Sequence, residues 1–185
     1  SVQLNLPEAV SYLSKQYPSI QNYILIFMSS HWLDLVLYLL GQLRVVEMQS
    51  TKNKDGIVFS YNGLLKTING EIPIHYQSNF DSPQQTSIGF SFTNSFWELS
   101  PVENLSIYNI LERIEPTKEY PIRKYLPKLE KNLQTNLTFK PGFYNQMKYF
   151  IDRYLNNEPN LNFGCTLVDA LKVTLLCEQI NIKSL

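Results

Sequence analysis

Between Arg44 and Tyr108 the chain breaks into six short β-type runs, VVEM, GIVFSY, IPIHY, TSIGFSF, FWEL and LSIY, each bounded by turn residues. Runs this closely spaced leave no room for crossover helices, so successive strands must pair antiparallel. Asn62-Gly63 and Asn69-Gly70 read as hairpin turns, because both residue types tolerate the positive φ that tight turns need. Alternation such as Ile57, Phe59, Tyr61 gives each strand one buried face, the pattern of a sheet backed by helices. The fold class that follows is α+β: an open, mainly antiparallel sheet with helices packed on one face.

The flanking segments supply the helices. Leu6 to Tyr17 reads as a short helix with Pro7 in its first turn and Pro18 beyond its end. Ile24 to Met28 is a brief apolar run suited to a buried strand. Ser29 or Ser30 is placed to cap the next helix, which runs from about His31 to Leu40 and stops at Gly41. That helix is apolar on nearly every face and is expected to lie deep. Tyr23 to Gly41 is long enough to raise the question of a membrane span. Ser29, Ser30, His31 and Asp34 lie within it, and an Asp at a span's centre costs about 2.5–3.5 kcal/mol. It is therefore read as two buried pieces, with no membrane span. Glu112 to Thr138 is irregular, and Pro116, Pro121 and Pro127 forbid a continuous helix there. A surface excursion or an arm toward another subunit is expected. Phe143, Met147, Phe150, Ile151 and Tyr154 fall on one helical face, and Leu167, Ala170, Leu171 and Leu175 on another. Thr166 with Asp169 forms a capping-box start to the last helix. Residues 1–23 read as an N-terminal helical lead-in and residues 24–185 as the α+β domain.

Sixteen basic and 16 acidic side chains balance. With no run of one sign, nucleic acid and anionic membranes are not expected partners. Cys165 and Cys177, the only cysteines, match no zinc or redox spacing; both read as small buried thiols of a reducing, cytoplasmic compartment. No His/Cys/Asp cluster has metal spacing, so no metal is expected. The start at Ser1, without an initiator Met, reads as a cut from something longer.

Three ordered segments resemble the C-terminal domain of the glucose-fructose oxidoreductase / inositol dehydrogenase family (Gfo/Idh/MocA). SSHWLDLVLYLLG, Ser29 to Gly41, is similar to the family's His-x-x-Asp helix. FWELSPVENLSIY, Phe96 to Tyr108, resembles a strand-and-turn segment late in its sheet. KPGFYNQMKYFIDRYLNNEPN, from Lys140, and CTLVDALKVTLLCEQI, ending at Ile180, resemble its closing helix pair. The resemblance covers about Ile24 to Ile180. It implies a parent protein with an N-terminal Rossmann domain that binds NAD or NADP and carries a Glu-Lys-Pro motif, with residues 1–23 as the junction. Neither that motif nor a Rossmann glycine fingerprint occurs among the seven glycines here, so no cofactor is expected in this chain itself.

Candidate site residues follow. A His at a helix start with an Asp one turn along can exchange a proton with a substrate hydroxyl. The resemblance gives His31 that catalytic role and Asp34 a substrate-binding one. The alternative for both is a structural contact at a helix end. Many family members read Gly-Gly-Gly and then an Asp four residues before the His. Gln21, Asn22, Tyr23 and Phe27 stand there instead, which removes a hydroxyl acceptor. Ser29 and Ser30 are candidates to replace it. Lys140 and Tyr144 are substrate-side candidates at the entry to the third segment, and His75 reads as a cross-strand structural residue. Tyr61, Tyr76, Phe90, Phe92 and Trp97 would give the sheet a second apolar face needing cover, so a homo-oligomer through that face is expected.

Two functions compete. One is the substrate-binding and oligomerisation domain of a sugar-type NAD(P)-dependent oxidoreductase, inactive alone, its partner a sugar, sugar derivative or nucleotide sugar. The other is a non-catalytic sugar-sensing or protein-interaction module of the same fold. A scaffold without a ligand is a third, weaker reading.

Overall fold

The computed structural model describes residues 1–20, 23–135, 138, 142–156 and 165–184. Its centre is an eight-stranded sheet in the order β2-β3-β4-β1-β5-β6-β7-β8. The strands are β1 (Val2–Glu8), β2 (Leu43–Lys52), β3 (Val58–Thr67), β4 (Pro73–Phe80), β5 (Ser87–Ser91), β6 (Phe96–Leu99), β7 (Asn104–Ile114) and β8 (Lys124–Gln134). Every pairing is antiparallel except that of β1 with β4. The expected fold class, an open and mainly antiparallel sheet, is what forms.

The first residues correct the lead-in reading. Val2–Glu8 is a central strand, with Val2, Leu4 and Leu6 pointing into the core, and the helix that follows is only α1 (Val10–Ser14). Asp81, just past β4, accepts from the backbone N–H and hydroxyl of Ser11 and pins that turn.

Ile24 to Met28, expected as a strand, instead falls in a π-helical turn, Leu25–Ser29, that runs into α2 (Ser30–Leu40). Its widened ladder is served by side chains: the Cys177 thiol donates to the Leu25 carbonyl at 3.4 Å and the Ser30 hydroxyl to Ile26 at 2.6 Å. Such turns recur near functional sites. Leu33 and Val36 of α2 are fully buried, whereas Tyr38 and Leu39 face outward, so the helix is less deep than its composition implies.

α4 (Leu167–Lys183) begins with the anticipated capping box of Thr166 and Asp169. Its buried face is Val173, Leu176, Cys177 and Ile180; Leu167, Leu171 and Leu175 are exposed. Its C-terminal end is tied to the sheet by Tyr61 donating to Asn181, Lys183 to the Val45 carbonyl and Ser50 to the Ser184 carbonyl. α3 (Phe143–Asn156) buries none of its side chains.

Two turn readings separate. Gly70 (φ 115°) makes the β3–β4 turn as expected, but Asn62-Gly63 lies inside β3, and the β2–β3 turn is instead built on Asn53 and Gly56 (φ 78°). Glu112 to Thr138, expected as irregular, is largely a long hairpin of β7 and β8, exposed along its outer half. Pro127 is tolerated because β8 is an edge strand, where a missing ladder N–H costs little.

The aromatic set does not form a second apolar face. Tyr61 and Tyr76 are buried in the helix-backed core, Phe90 packs against it, and Phe92 with Trp97 makes a local pair at 5.3 Å. Side chains alternate across a strand, so the opposite face carries Gln3, Asn5, Asn62, His75 and Gln77, with Leu64 and the stacked pair Phe96–Tyr108 beside them.

Candidate functional site at the α2–α4 seam

A cavity of about 510 Å³ opens where α2 meets the start of α4, bounded by His31, Asp34, Leu35, Tyr38, Cys165, Asp169 and Lys172 among others. That is the size range of small-molecule sites. The spacing of His31 and Asp34, one helical turn apart, puts both on the same side of α2. Across the gap, the capping box fixes Asp169. The Thr166 hydroxyl donates to its Oδ2 at 2.7 Å, the Thr166 N–H donates at 3.1 Å, and Lys172 Nζ lies 2.9 Å from its Oδ1.

The two carboxyls are driven in opposite directions. Thr166 and Lys172 pull Asp169 down to about 2. Asp34 is held above the usual carboxylate range, first by burial and then by the negative charge of Asp169, with His31 acting weakly against both. Environments that separate two acids in this way mark out a hydrogen-bond donor and an acceptor. Burial also raises the Cys165 thiol, and Asp34 and Asp169 add to that. The cavity thus presents an imidazole, a fixed carboxylate and a more readily protonated carboxyl, a set suited to hydroxyl groups. Among its described lining residues the cation is Lys172, which is held by Asp169.

The six residues singled out in the sequence divide. His31 and Asp34 line the cavity together. Ser29 is fully buried behind it, donating to Glu8, and Ser30 turns back to Ile26, so neither hydroxyl is offered to the cavity or caps α2. Tyr144 is on exposed α3, and Lys140 lies outside the described residues. Cys165, read as buried, is exposed at the rim; Cys177 is buried. Asp169 and Lys172 were missed as site residues: the capping box was legible, but nothing local says that it faces α2. Among the described residues no group of three or more His, Cys, Asp and Glu can hold a metal ion. No described helix is long and apolar enough to cross a membrane.

No family model and no curated protein matches this sequence. Solved structures do match its fold. The UDP-N-acetylglucosamine 3-dehydrogenase of Acidithiobacillus ferrooxidans matches at TM-score 0.66 and 12% identity, over 98% of this chain and 52% of its own. An oxidoreductase from Agrobacterium radiobacter, solved with NAD+, L-tartaric acid and magnesium, matches at 0.62 and 14%, over 99% and 54%. The transcriptional regulator Gal80p of Kluyveromyces lactis matches at 0.64 and 13%, over 100% and 51%. The chain therefore has the fold of the C-terminal domain of Gfo/Idh/MocA proteins. It spans about half the length of the solved structures it matches.

Proposed function

We propose that this chain is the substrate-binding and oligomerisation half of a sugar-type NAD(P)-dependent oxidoreductase. The observation that carries the reading is the pairing of His31 with Asp34 on the wall of a ligand-sized cavity, in a fold shared with dehydrogenases. The substrate is a sugar, sugar derivative or nucleotide sugar. His31 takes or returns the proton of a substrate hydroxyl, Asp169 accepts from a second hydroxyl, and Asp34 binds beside them. The redox cofactor, NAD or NADP, belongs to a Rossmann domain joined through the N-terminal residues. The protein works in the cytoplasm as a homo-oligomer, associating through the sheet face opposite α2 and α4, where Leu64 and the Phe96–Tyr108 pair lie.

The test is turnover by the full-length parent. His31→Ala lowers kcat/KM for a sugar substrate by about a hundredfold while leaving KM for the nicotinamide cofactor unchanged. Undiminished turnover by that variant removes His31 from the chemistry.

Two observations favour a second reading, a non-catalytic sugar-sensing or protein-interaction module. Phe27 stands where the resemblance expects a carboxylate, and a transcriptional regulator shares the fold. A parent that binds a sugar but turns over no nicotinamide cofactor supports this reading against the first.

A further inference from the structure

Behind the cavity, on the core side of α2, lies a buried polar cluster that the proposed chemistry does not use. Glu8, the last residue of β1, is 1% exposed. The Ser29 hydroxyl donates to its Oε1, and the Ser29 oxygen is 3.1 Å from the Tyr76 phenol, which is left to act as the donor there. Ser78 of β4 and Cys177 of α4 complete the surroundings. The Ser78 hydroxyl helps the carboxylate electrostatically but makes no formed hydrogen bond. Burial pushes the Tyr76 phenol up and the Cys177 thiol up to about 12, with Glu178 adding slightly to the latter. Glu8 is thus the group in the cluster able to change charge near neutrality, and burial raises it to about 7.

What Glu8 holds is the point of departure of α2. Ser29 ends the π-helical turn, and the next residues carry Ser30, His31 and, one turn on, Asp34. Ser29 is buried and its hydroxyl is committed to Glu8. A change in the carboxyl therefore acts on the backbone that aims the imidazole. We propose that Glu8 is a positioning residue of the His31 site, holding Ser29 and through it the turn from which α2 enters the cavity. The term "site" rests on the function proposed above; the coupling itself does not.

The experiment is a pH titration of the isotopically labelled chain by NMR, without ligand. It is run in a His31→Asn background, so that changes in the neighbouring amides report on the backbone alone. The Glu8 side-chain carboxyl resonance is expected to titrate with a midpoint near 7. The amides of Ser29 through Asp34 should shift with the same midpoint, while amides of β8 do not. Glu8→Gln, which keeps an acceptor for Ser29, should retain the folded spectrum and erase that inflection. Ser29→Ala should raise the Glu8 midpoint further and uncouple it from residues 31–34. The proposal is overturned if Glu8 titrates in the ordinary carboxylate range. It is equally overturned if those amides ignore it, or if they follow it unchanged in Ser29→Ala. Failure of the parent to act on sugars leaves this coupling standing, and absence of coupling leaves the cavity reading standing.

Discussion

Raising the pH from about 5 to about 8 lowers the stability of this chain by ~3 kcal/mol, and Glu8→Gln abolishes the loss. The sign follows from the direction of the shift. Burial raises Glu8 from 4.5 to about 7, so the folded state favours the protonated form. The contribution is fully present below the unfolded value and disappears as the pH rises through the folded one. Groups shifted the other way, Asp169 and Glu71, gain their effect at lower pH and are constant across this window. Ser29 and Ser78 lessen the cost of the buried charge but do not remove it, because one charge among neutral groups has no opposite partner. Urea unfolding at the two pH values reads the effect. A midpoint that is flat or rises with pH contradicts it.

Gly63→Ala costs about 3 kcal/mol, at the upper end of what one added methyl does in a packed region. Gly63 lies in β3 opposite Met48, just beyond the bulge between Val45 and Glu47. A Cβ there would sit 2.3 Å from the Glu47 carbonyl oxygen and 2.7 Å from the buried Met48 side chain. A methionine tip can move; a backbone oxygen cannot without shifting the bulge. That shift would disturb the Val45 carbonyl, which receives Lys183 and anchors the end of α4. Asn62→Ala, one residue earlier and exposed, should stay within about 0.5 kcal/mol of the parent. Denaturant titration of both variants checks the contrast. Equal stabilities would mean that the strand accommodates a side chain at position 63.

The same glycine illustrates what the sequence does and does not reveal. Asn-Gly has the local chemistry of a hairpin turn, but the requirement for Gly63 comes from a neighbouring strand, which no local window contains. Val2, Leu4 and Leu6 do carry the period of two of a strand, but Pro7 and Pro18 have the positions of a helix start and stop, which points to a helix between them. Ile24 to Met28 is a five-residue apolar stretch, too short for periodicity to separate a strand from a tight helical turn. The sheet from β2 to β7 was legible because short β-type runs are closely spaced, although the β2–β3 turn lies at Asn53 and Gly56 rather than at Asn62-Gly63. In the site, His31 and Asp34 were legible from their spacing and from the family resemblance. Asp169 and Lys172 were not, since the cavity exists only where two helices far apart in the chain converge. Glu8 was invisible for the same reason: its partner Ser29, 21 residues along the chain, meets it only in the folded core.

The central claim is that the seam between α2 and α4 receives a sugar-type ligand. Chemical-shift mapping of the labelled chain against a panel of free sugars and nucleotide sugars tests it directly. The account predicts that one class perturbs His31, Asp34, Cys165, Asp169 and Lys172 together, and that Asp169→Asn weakens the response. A panel that leaves those five unmoved, or that perturbs only the sheet face around His75 and Gln77, would contradict it.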